Sequence, residues 1–427
     1  MSKYSSFIFR SYSFDPVDQL ATFTFSYDNE IIFTETITFN TKSNSYNSSQ
    51  LDKALRNLFL MVGVSYYKAY LTPNIIIEPF KLSKNSAQFF SETYQQGLRE
   101  LFYINQLPIT KPVNFPYHES EKDGPLTSKL DTGFLVGVGG GKDSLVSIEL
   151  IKEAGFNNIA TWSMGHKSQL KPLVETIGLK HYFIDRKIDE QIVTLEDAYK
   201  GHIPLSAILA SVGTVLSILT NKKDVVVSNE WSASEPTLFE NGEPINHQYS
   251  KSIQFENKYQ QLLSQNFDNS TRYYSLLRSL NEVQIAELFA KNGFDKYKDV
   301  FCSCNKAFRQ NENKISWCGE CAKCCFVFLA FSPFVDKNQL ETVFSSNPLI
   351  NSKNIQIYKD LLGLTKAKPF DCVGTVSESR WAFSQIKGIY PELQNSFMFN
   401  ENVNNHLDNS ATDSIPNDVK SKLNFSR

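Results

Sequence analysis

The order of apolar and polar positions divides the chain before any chemistry is considered. Phe7–Phe14, Leu20–Tyr27 and Ile31–Phe39 alternate, or run apolar and aromatic, as half-buried strands do. Asp28-Asn29 separates the second from the third and marks a hairpin. Apolar positions then recur at helical spacing around Leu51–Val62 and Ser86–Phe102. Pro108 to Leu126 holds four prolines and few periodic apolar positions, which reads as a linker.

From Gly133 the pattern changes. Phe134–Val138 is a short apolar run ending in glycines, and Leu145, Ile148 and Ile151 line one side of a helix that Gly155 stops. Ile159–Trp162, His181–Ile184 and Asp224–Ser228 are further strands, with Gln169–Ile177 and Leu205–Leu219 as the helices between. Alternating strand and helix calls for a parallel sheet with helices on both faces, and such sheets bind ligands beyond the carboxyl ends of their strands. The expected fold is α/β. An α+β domain spans 1–125, a parallel-sheet core 126–295, and a cysteine-bearing helical region 296–400. The stretch 401–427 is polar and rich in Asn, Ser and Asp, so a disordered tail is expected there.

Composition narrows the function. A length of 427 residues suits two or three domains, and 41% hydrophobic with 21% charged residues is ordinary for a globular protein. A formal net charge of −2 supplies no global field for nucleic acid. Met1 to Asp15 lacks the continuous apolar core of a secretory signal. The longest apolar stretch, Ile203–Leu219, is interrupted by Pro204, serines and a glycine, and reads as a buried helix rather than a membrane span. A cytoplasmic protein without membrane contact is expected.

The most informative segment is Gly137-Val138-Gly139-Gly140-Gly141-Lys142-Asp143-Ser144, between an apolar strand and a helix. Glycines let the backbone approach an anion closely, and the helix behind them points unpaired N–H groups and a positive dipole end at it. Lys142 adds a charge and Ser144 a hydroxyl. Asp143 would repel phosphate, so it suits Mg²⁺ or loop geometry. A Walker loop needs Lys directly before Ser or Thr, and here Asp143 intervenes; no glycine at 142 or 144 completes a dinucleotide fingerprint. The segment resembles the PP-loop, Ser-Gly-Gly-x-Asp-Ser, of ATP pyrophosphatases, with Gly139 in place of the first Ser. That resemblance implies an adenine nucleotide alpha hydrolase-like core that splits ATP into AMP and pyrophosphate, with Gly139, Gly140, Gly141, Lys142, Asp143 and Ser144 at the nucleotide. In such folds Trp162-Ser163-Met164-Gly165 borders the adenine, which nominates Ser163; an ordinary strand-to-helix turn fits the residues equally. Glu230, just past the strand Val225–Val227, suits Mg²⁺ or ribose, against a solvated helix cap.

Six of the seven cysteines fall between Cys302 and Cys325. In an intracellular chain such crowding favours metal over disulfides. Cys318, Cys321 and Cys324 converge as a knuckle, and an upstream cysteine closes a tetrahedral zinc site. The expected ligands are Cys304, Cys318, Cys321 and Cys324, with Cys302 and Cys325 spare. Four thiolates leave no position for water, so the zinc would be structural.

A similar knuckle, Cys-Gly-x-Cys-x-x-Cys, occurs in 7-cyano-7-deazaguanine synthase, which would act on a nucleobase or RNA. Other stretches point elsewhere. Gly201-His202-Ile203-Pro204-Leu205-Ser206-Ala207, Asn246-His247-Gln248-Tyr249-Ser250-Lys251-Ser252 with Phe255-Glu256, Trp317–Cys324 with Phe326–Leu329, and Pro369-Phe370-Asp371-Cys372-Val373-Gly374 resemble the UDP-N-acetylmuramoyl-L-alanyl-L-glutamate epimerase family, MurL. That resemblance implies an ATP- and Mg²⁺-dependent inversion of the terminal glutamate of a UDP-muramoyl dipeptide, in bacterial cell-wall synthesis. An acid–base pair is then required. His247, in a polar run, Cys372 and Lys251 are the catalytic candidates, with Glu378 and His202 behind them. Cys372 reads equally as thiolate base or buried apolar group; Lys251 and Arg380 read as anion holders or surface charges. A zinc-bearing, ATP-binding regulator without turnover is the remaining alternative.

Overall fold

The computed structural model describes residues 2–42, 45–127, 130–268, 270–308, 315–365, 369, 371–386, 388–390, 412–423 and 425. Their strands are β1 (Ser6–Asp15), β2 (Leu20–Tyr27), β3 (Ile31–Thr38), β4 (Asn74–Ile77), β5 (Asp131–Gly137) and β6 (Ile159–Met164). There follow β7 (Lys180–Lys187), β8 (Lys222–Val227), β9 (Leu238–Glu240), β10 (Glu243–Ile245) and β11 (Arg272–Ser275). β9 and β10 make a small hairpin, and the other nine form one sheet in the order β11-β8-β5-β6-β7-β3-β2-β1-β4.

The five strands from β11 to β7 are all parallel. Their sequences run apolar because both faces are covered. Phe134 and Val136 enter one core and Leu135 the other, and Val226 and Val225 divide the same way. The helices Lys142–Glu153, Glu282–Asn292 and Ala322–Phe331 contribute to the core that holds Phe134 and Val136, and Leu205–Thr220 and Ile253–Phe267 to the core that holds Leu135.

β5 comes first in the chain among these five, yet lies between β6 and β8. From β5 the chain steps outward through β6 and β7, then crosses over to build β8 and β11. That reversal opens a crevice beyond the carboxyl ends of β5 and β8. The glycine loop follows β5, and Ser228 to Glu230 follow β8. Both candidate segments therefore flank the crevice.

The amino-terminal hairpins lie where their alternation placed them, but they join the same sheet. β3 pairs antiparallel with β7 through Thr36–Lys187, Ile37–Arg186 and Thr38–Asp185. This covers an edge that would otherwise expose unpaired backbone groups. Arg186 fastens the junction with hydrogen bonds of 2.8 and 3.1 Å to the buried Glu35.

The helix expected over Ser86–Phe102 is two helices, Lys84–Gly97 and Arg99–Ile104. The break falls where Pro204 packs against Gly97, so closely that a Cβ there would lie 2.7 Å from the proline ring. The polar tail also departs from expectation in part. Residues 412–423 include a short helix, Asn417–Lys420, held by buried Val419 and a 2.7 Å Arg272–Asp418 ion pair. Residues 401–411 lie outside the described residues. Among the described residues no helix is long and apolar enough to cross a membrane.

Candidate active site and metal centre

The helix Lys142–Glu153 starts at Gly141 with no side-chain cap, so its first N–H groups lack that partner. Gly140 has φ of +97°, and a Cβ there would lie 2.7 Å from the Phe308 ring and 3.0 Å from the Cys302 carbonyl. Only glycine fits. The Cys302 N–H donates to the Gly140 carbonyl at 2.9 Å, which ties the loop to the cysteine segment. A side chain at Gly139 would meet nothing within 4 Å, so the loop is open on that side. Ser144 Oγ donates to the Gly141 carbonyl at 3.4 Å.

Lys142, expected at the nucleotide, already has partners within the chain. Its buried ammonium pairs with Asp143 and Glu282. Burial opposes its charge, but the two carboxylates outweigh this and hold its pKa above the ordinary value. Burial opposes Glu282's charge too; Lys142 and Lys323 overcome it and lower that carboxyl to about 2. Lys323 Nζ lies 3.6 Å from the other Glu282 oxygen. Ser163 is also engaged: its hydroxyl lies 3.0 Å from His181 Nε2, and Thr161 takes the other ring nitrogen at 2.8 Å.

Glu230 is buried, and burial followed by the charge of Glu282 raises its carboxyl pKa, against Lys251. Arg278, 1% exposed, organises this region. It donates to the carbonyls of Glu230 at 2.7 Å and Lys251 at 2.6 Å, and pairs with Glu256 at 2.8 Å. One buried guanidinium thus sets the backbone after β8 and the backbone carrying His247 and Lys251.

Lys251 Nζ donates to Cys372 Sγ at 3.2 Å. Burial alone would push the Cys372 thiol up. The charge of Lys251, a hydrogen bond with His247 and the charge of Lys323 overcome that and lower it to about 6. His247 shows the mirror effect: burial opposes its charge, but hydrogen bonds to Cys372 and Glu100 raise it to about 9. Its Nδ1 bonds the buried Glu100. His202 lies against His247 with ring centroids 4.3 Å apart and planes tilted by 41°, and burial then the His247 charge lower it to about 4. At neutral pH this places a thiolate between two cations, with a neutral imidazole beside them.

Two further candidates sit in structural positions. Glu378 accepts from the Thr375 N–H in a capping box and from the Glu282 N–H at 2.7 Å, so it caps two helices. Arg380 Nε donates to the Leu362 carbonyl at 2.7 Å. It anchors a turn.

The ligand atoms of Cys304, Cys318, Cys321 and Cys324 all lie within 4.8 Å of one another. Cys304–Cys321 and Cys318–Cys324 sulfurs are 3.9 and 3.7 Å apart. A tetrahedron with Zn–S bonds of about 2.3 Å has edges of about 3.8 Å, so the donor set fits zinc. Backbone N–H groups of Lys306, Glu320 and Cys324 point at the sulfurs of Cys304, Cys318 and Cys321 at 3.3, 3.4 and 3.5 Å, as thiolates require. Cys302 and Cys325 stand outside the four.

Sequence reasoning passed over Glu100, Arg278, Glu282 and Lys323. Arg278 left a signal, as a lone charge in the apolar run Tyr273 to Leu280. The other three sit in helical patterns where charge looks like solvated surface.

Comparison with known proteins fits these observations. The domain family described as the MurL N-terminal domain matches residues 1–276, and the MurL C-terminal domain matches residues 300–414. A protein of a Micromonospora species named UDP-N-acetyl-alpha-D-muramoyl-L-alanyl-L-glutamate epimerase is 36% identical over 90% of this chain and 88% of its own length. Proteins of the same name from Xanthomonas oryzae and Salinispora tropica are 36% identical over 80% of the chain and 76% of their length, and 35% over 90% and 86%. With both domain families matched in order and relatives at 35–36% identity aligned over 76–88% of their own length, the chain belongs to the MurL family.

Proposed function

We propose that this chain inverts the terminal L-glutamate of UDP-N-acetylmuramoyl-L-alanyl-L-glutamate to D-glutamate for peptidoglycan synthesis. ATP is split to AMP and pyrophosphate in the same reaction. The observation that carries this reading is the continuity of one charged site. Asp143, beside the glycine loop, acts electrostatically on both Glu230 and Lys251, and Lys251 touches Cys372. Nucleotide chemistry and proton chemistry can therefore meet on one carboxylate.

The chemistry explains the need for both. A Cα–H beside a carboxylate is a very weak acid, because its carbanion would adjoin a negative charge. Adenylating the α-carboxylate removes that charge and makes an enolate accessible. In this reading the loop amides of 139–141 and the start of the following helix hold the phosphates. Asp143 and Glu230 are the carboxylates that would hold Mg²⁺, which supplies neutralising charge for the triphosphate and the departing pyrophosphate. The Cys372 thiolate takes the Cα proton, and the His247 imidazolium returns one. The two touch in the free protein, and a Cα seated between them replaces that contact with one on each face. Water then releases AMP. Residues 126–295 carry the nucleotide chemistry, while 296–400 adds Cys372, Lys323 and a structural zinc. The nucleobase alternative rested on the glycine loop together with the knuckle and gives way to the family assignment.

The direct test incubates the protein with ATP, Mg²⁺ and the UDP-muramoyl dipeptide, then resolves product glutamate on a chiral column. AMP and pyrophosphate should appear, and ADP with phosphate would defeat the assignment. Asp143→Ala should lower turnover about tenfold or more, as expected for a lost transition-state contact.

The pH dependence follows from the two shifts. The thiolate exists above about 6 and the imidazolium below about 9. Inversion should rise through the first value and fall through the second, giving a bell whose plateau covers neutral pH. A rate that keeps rising from pH 8 to 10 would remove His247 as the acid.

A further inference from the structure

We propose that Glu100, delivered by the amino-terminal region, is a positioning residue for proton transfer: its carboxylate accepts the His247 Nδ1 hydrogen bond and holds that ring against Cys372. The inference rests on the functional reading above and adds a residue that lies far from every motif supporting it.

The placement is built, not incidental. The break at Gly97 lets Pro204 pack in and starts the short helix Arg99–Ile104 beside His202. Arg99 fixes that helix from the other side, donating to the Pro244 carbonyl at 2.7 Å and to Glu243 at 3.0 Å. Pro244 and Glu243 belong to β10, whose last residue, Ile245, is two before His247. The backbones bearing Glu100 and His247 are thus clamped together by the neighbour of one and the strand leading to the other. Glu100 is left facing inward, buried, with the imidazole as its partner.

A carboxylate behind an imidazole does two things. It selects which ring nitrogen carries the fixed proton, and it stabilises the charged ring. The groups facing His247 are Glu100, Cys372, His202 and Asp371, with Lys251 and Lys68 acting on His202 and Lys251 bonded to Cys372. Among the partners of its ring, Glu100 and Cys372 favour the charge. Cys372 changes its own charge when it takes the substrate proton, so Glu100 is the constant member. His202 completes the arrangement by staying neutral, since two charged imidazoles with centroids 4.3 Å apart would repel.

Glu100, His202 and His247 also present three ligand atoms within 4.8 Å of one another, so a metal ion is the competing occupant. The experiment separates the two with full-length wild type, Glu100→Gln and Glu100→Asp. We measure kcat and KM for inversion, ATP–pyrophosphate exchange, the pH profile and bound metal. Glu100→Gln should lower kcat by about 10²-fold with KM and exchange little changed. Its alkaline limb should move to lower pH, because the imidazolium loses the charge that holds its proton. Glu100→Asp should recover part of the rate and return the limb toward the wild-type position. If Glu100→Gln does not fold, the limb of Glu100→Asp is read against wild type, and a displaced limb supports the proposal. An unmoved limb in every folded variant overturns it. So does a second metal equivalent in wild type that Glu100→Gln loses. A wild type that does not invert glutamate defeats the functional reading; an active wild type matched in rate and profile by Glu100→Gln defeats this inference alone.

Discussion

Replacing Cys372 with alanine is expected to lower glutamate inversion by about 10²–10⁴-fold, the range contributed by a positioned proton-transfer group. ATP–pyrophosphate exchange in the same variant should stay near the wild-type rate. The asymmetry follows from the site's two ends. In the proposed reaction adenylation would use the glycine loop, Asp143 and Glu230, whereas the sulfur touches Lys251 and His247 at the far end of the charged line. Truncating Cys372 leaves the loop's tie to Cys302 and the Arg278 bonds to Glu230 and Lys251 in place. In D₂O the wild-type product should carry deuterium at the glutamate Cα, and omitting ATP should abolish incorporation. Cys372→Ser should recover little, because a hydroxyl beside the same cations remains far from ionised at neutral pH. Equal loss of both half-reactions would place Cys372 in the nucleotide site or the fold, and deuterium-free inversion would remove the carbanion route.

How much of this was legible in the sequence depended on whether a residue's role was local. Phe134 to Val138 announces a doubly buried strand because parallel strands are apolar throughout, and the glycines after it announce a loop that must approach something closely. Cys318, Cys321 and Cys324 announce a knuckle by spacing alone, and the structure puts Cys304 with them. The pairing of β3 with β7 could not be read, since an edge contact between distant segments leaves no local period. Glu100 failed for the same reason. Its partner lies 147 residues away, and in its own helix it looks like any acidic residue in a first turn. Glu282 and Lys323 look like solvated helix charges until helices from three parts of the chain bring them to Lys142. Lys142 shows the converse limit: its place beside glycines could be read, but not the two carboxylates that tertiary packing gave it.

Cys321→Ser should cost the fold before it costs chemistry. A structural zinc contributes apparent free energy of about 10–16 kcal/mol in small zinc domains, against a total stability of about 5–15 kcal/mol for an ordinary protein. Cys321 has more than one duty here. It is the N-cap of the helix Ala322–Phe331, and its sulfur accepts the Cys324 N–H at 3.5 Å. Every residue of that helix is buried, so its start cannot fray into water without exposing the core it fills. The helix carries Lys323 to Glu282, and Cys304 is two residues from the Cys302 that holds Gly140. Loss of the knuckle therefore reaches both the buried lysine–glutamate pair and the glycine loop. The expected outcome is about one zinc per chain in wild type and none in Cys321→Ser, which should be insoluble or unfold at a much lower temperature. Cys325→Ser, changed at a neighbouring buried cysteine outside the four, should keep the zinc while losing only packing. Elemental analysis with thermal unfolding reads both. A soluble Cys321→Ser enzyme with wild-type activity would mean that the four sulfurs hold nothing the fold needs.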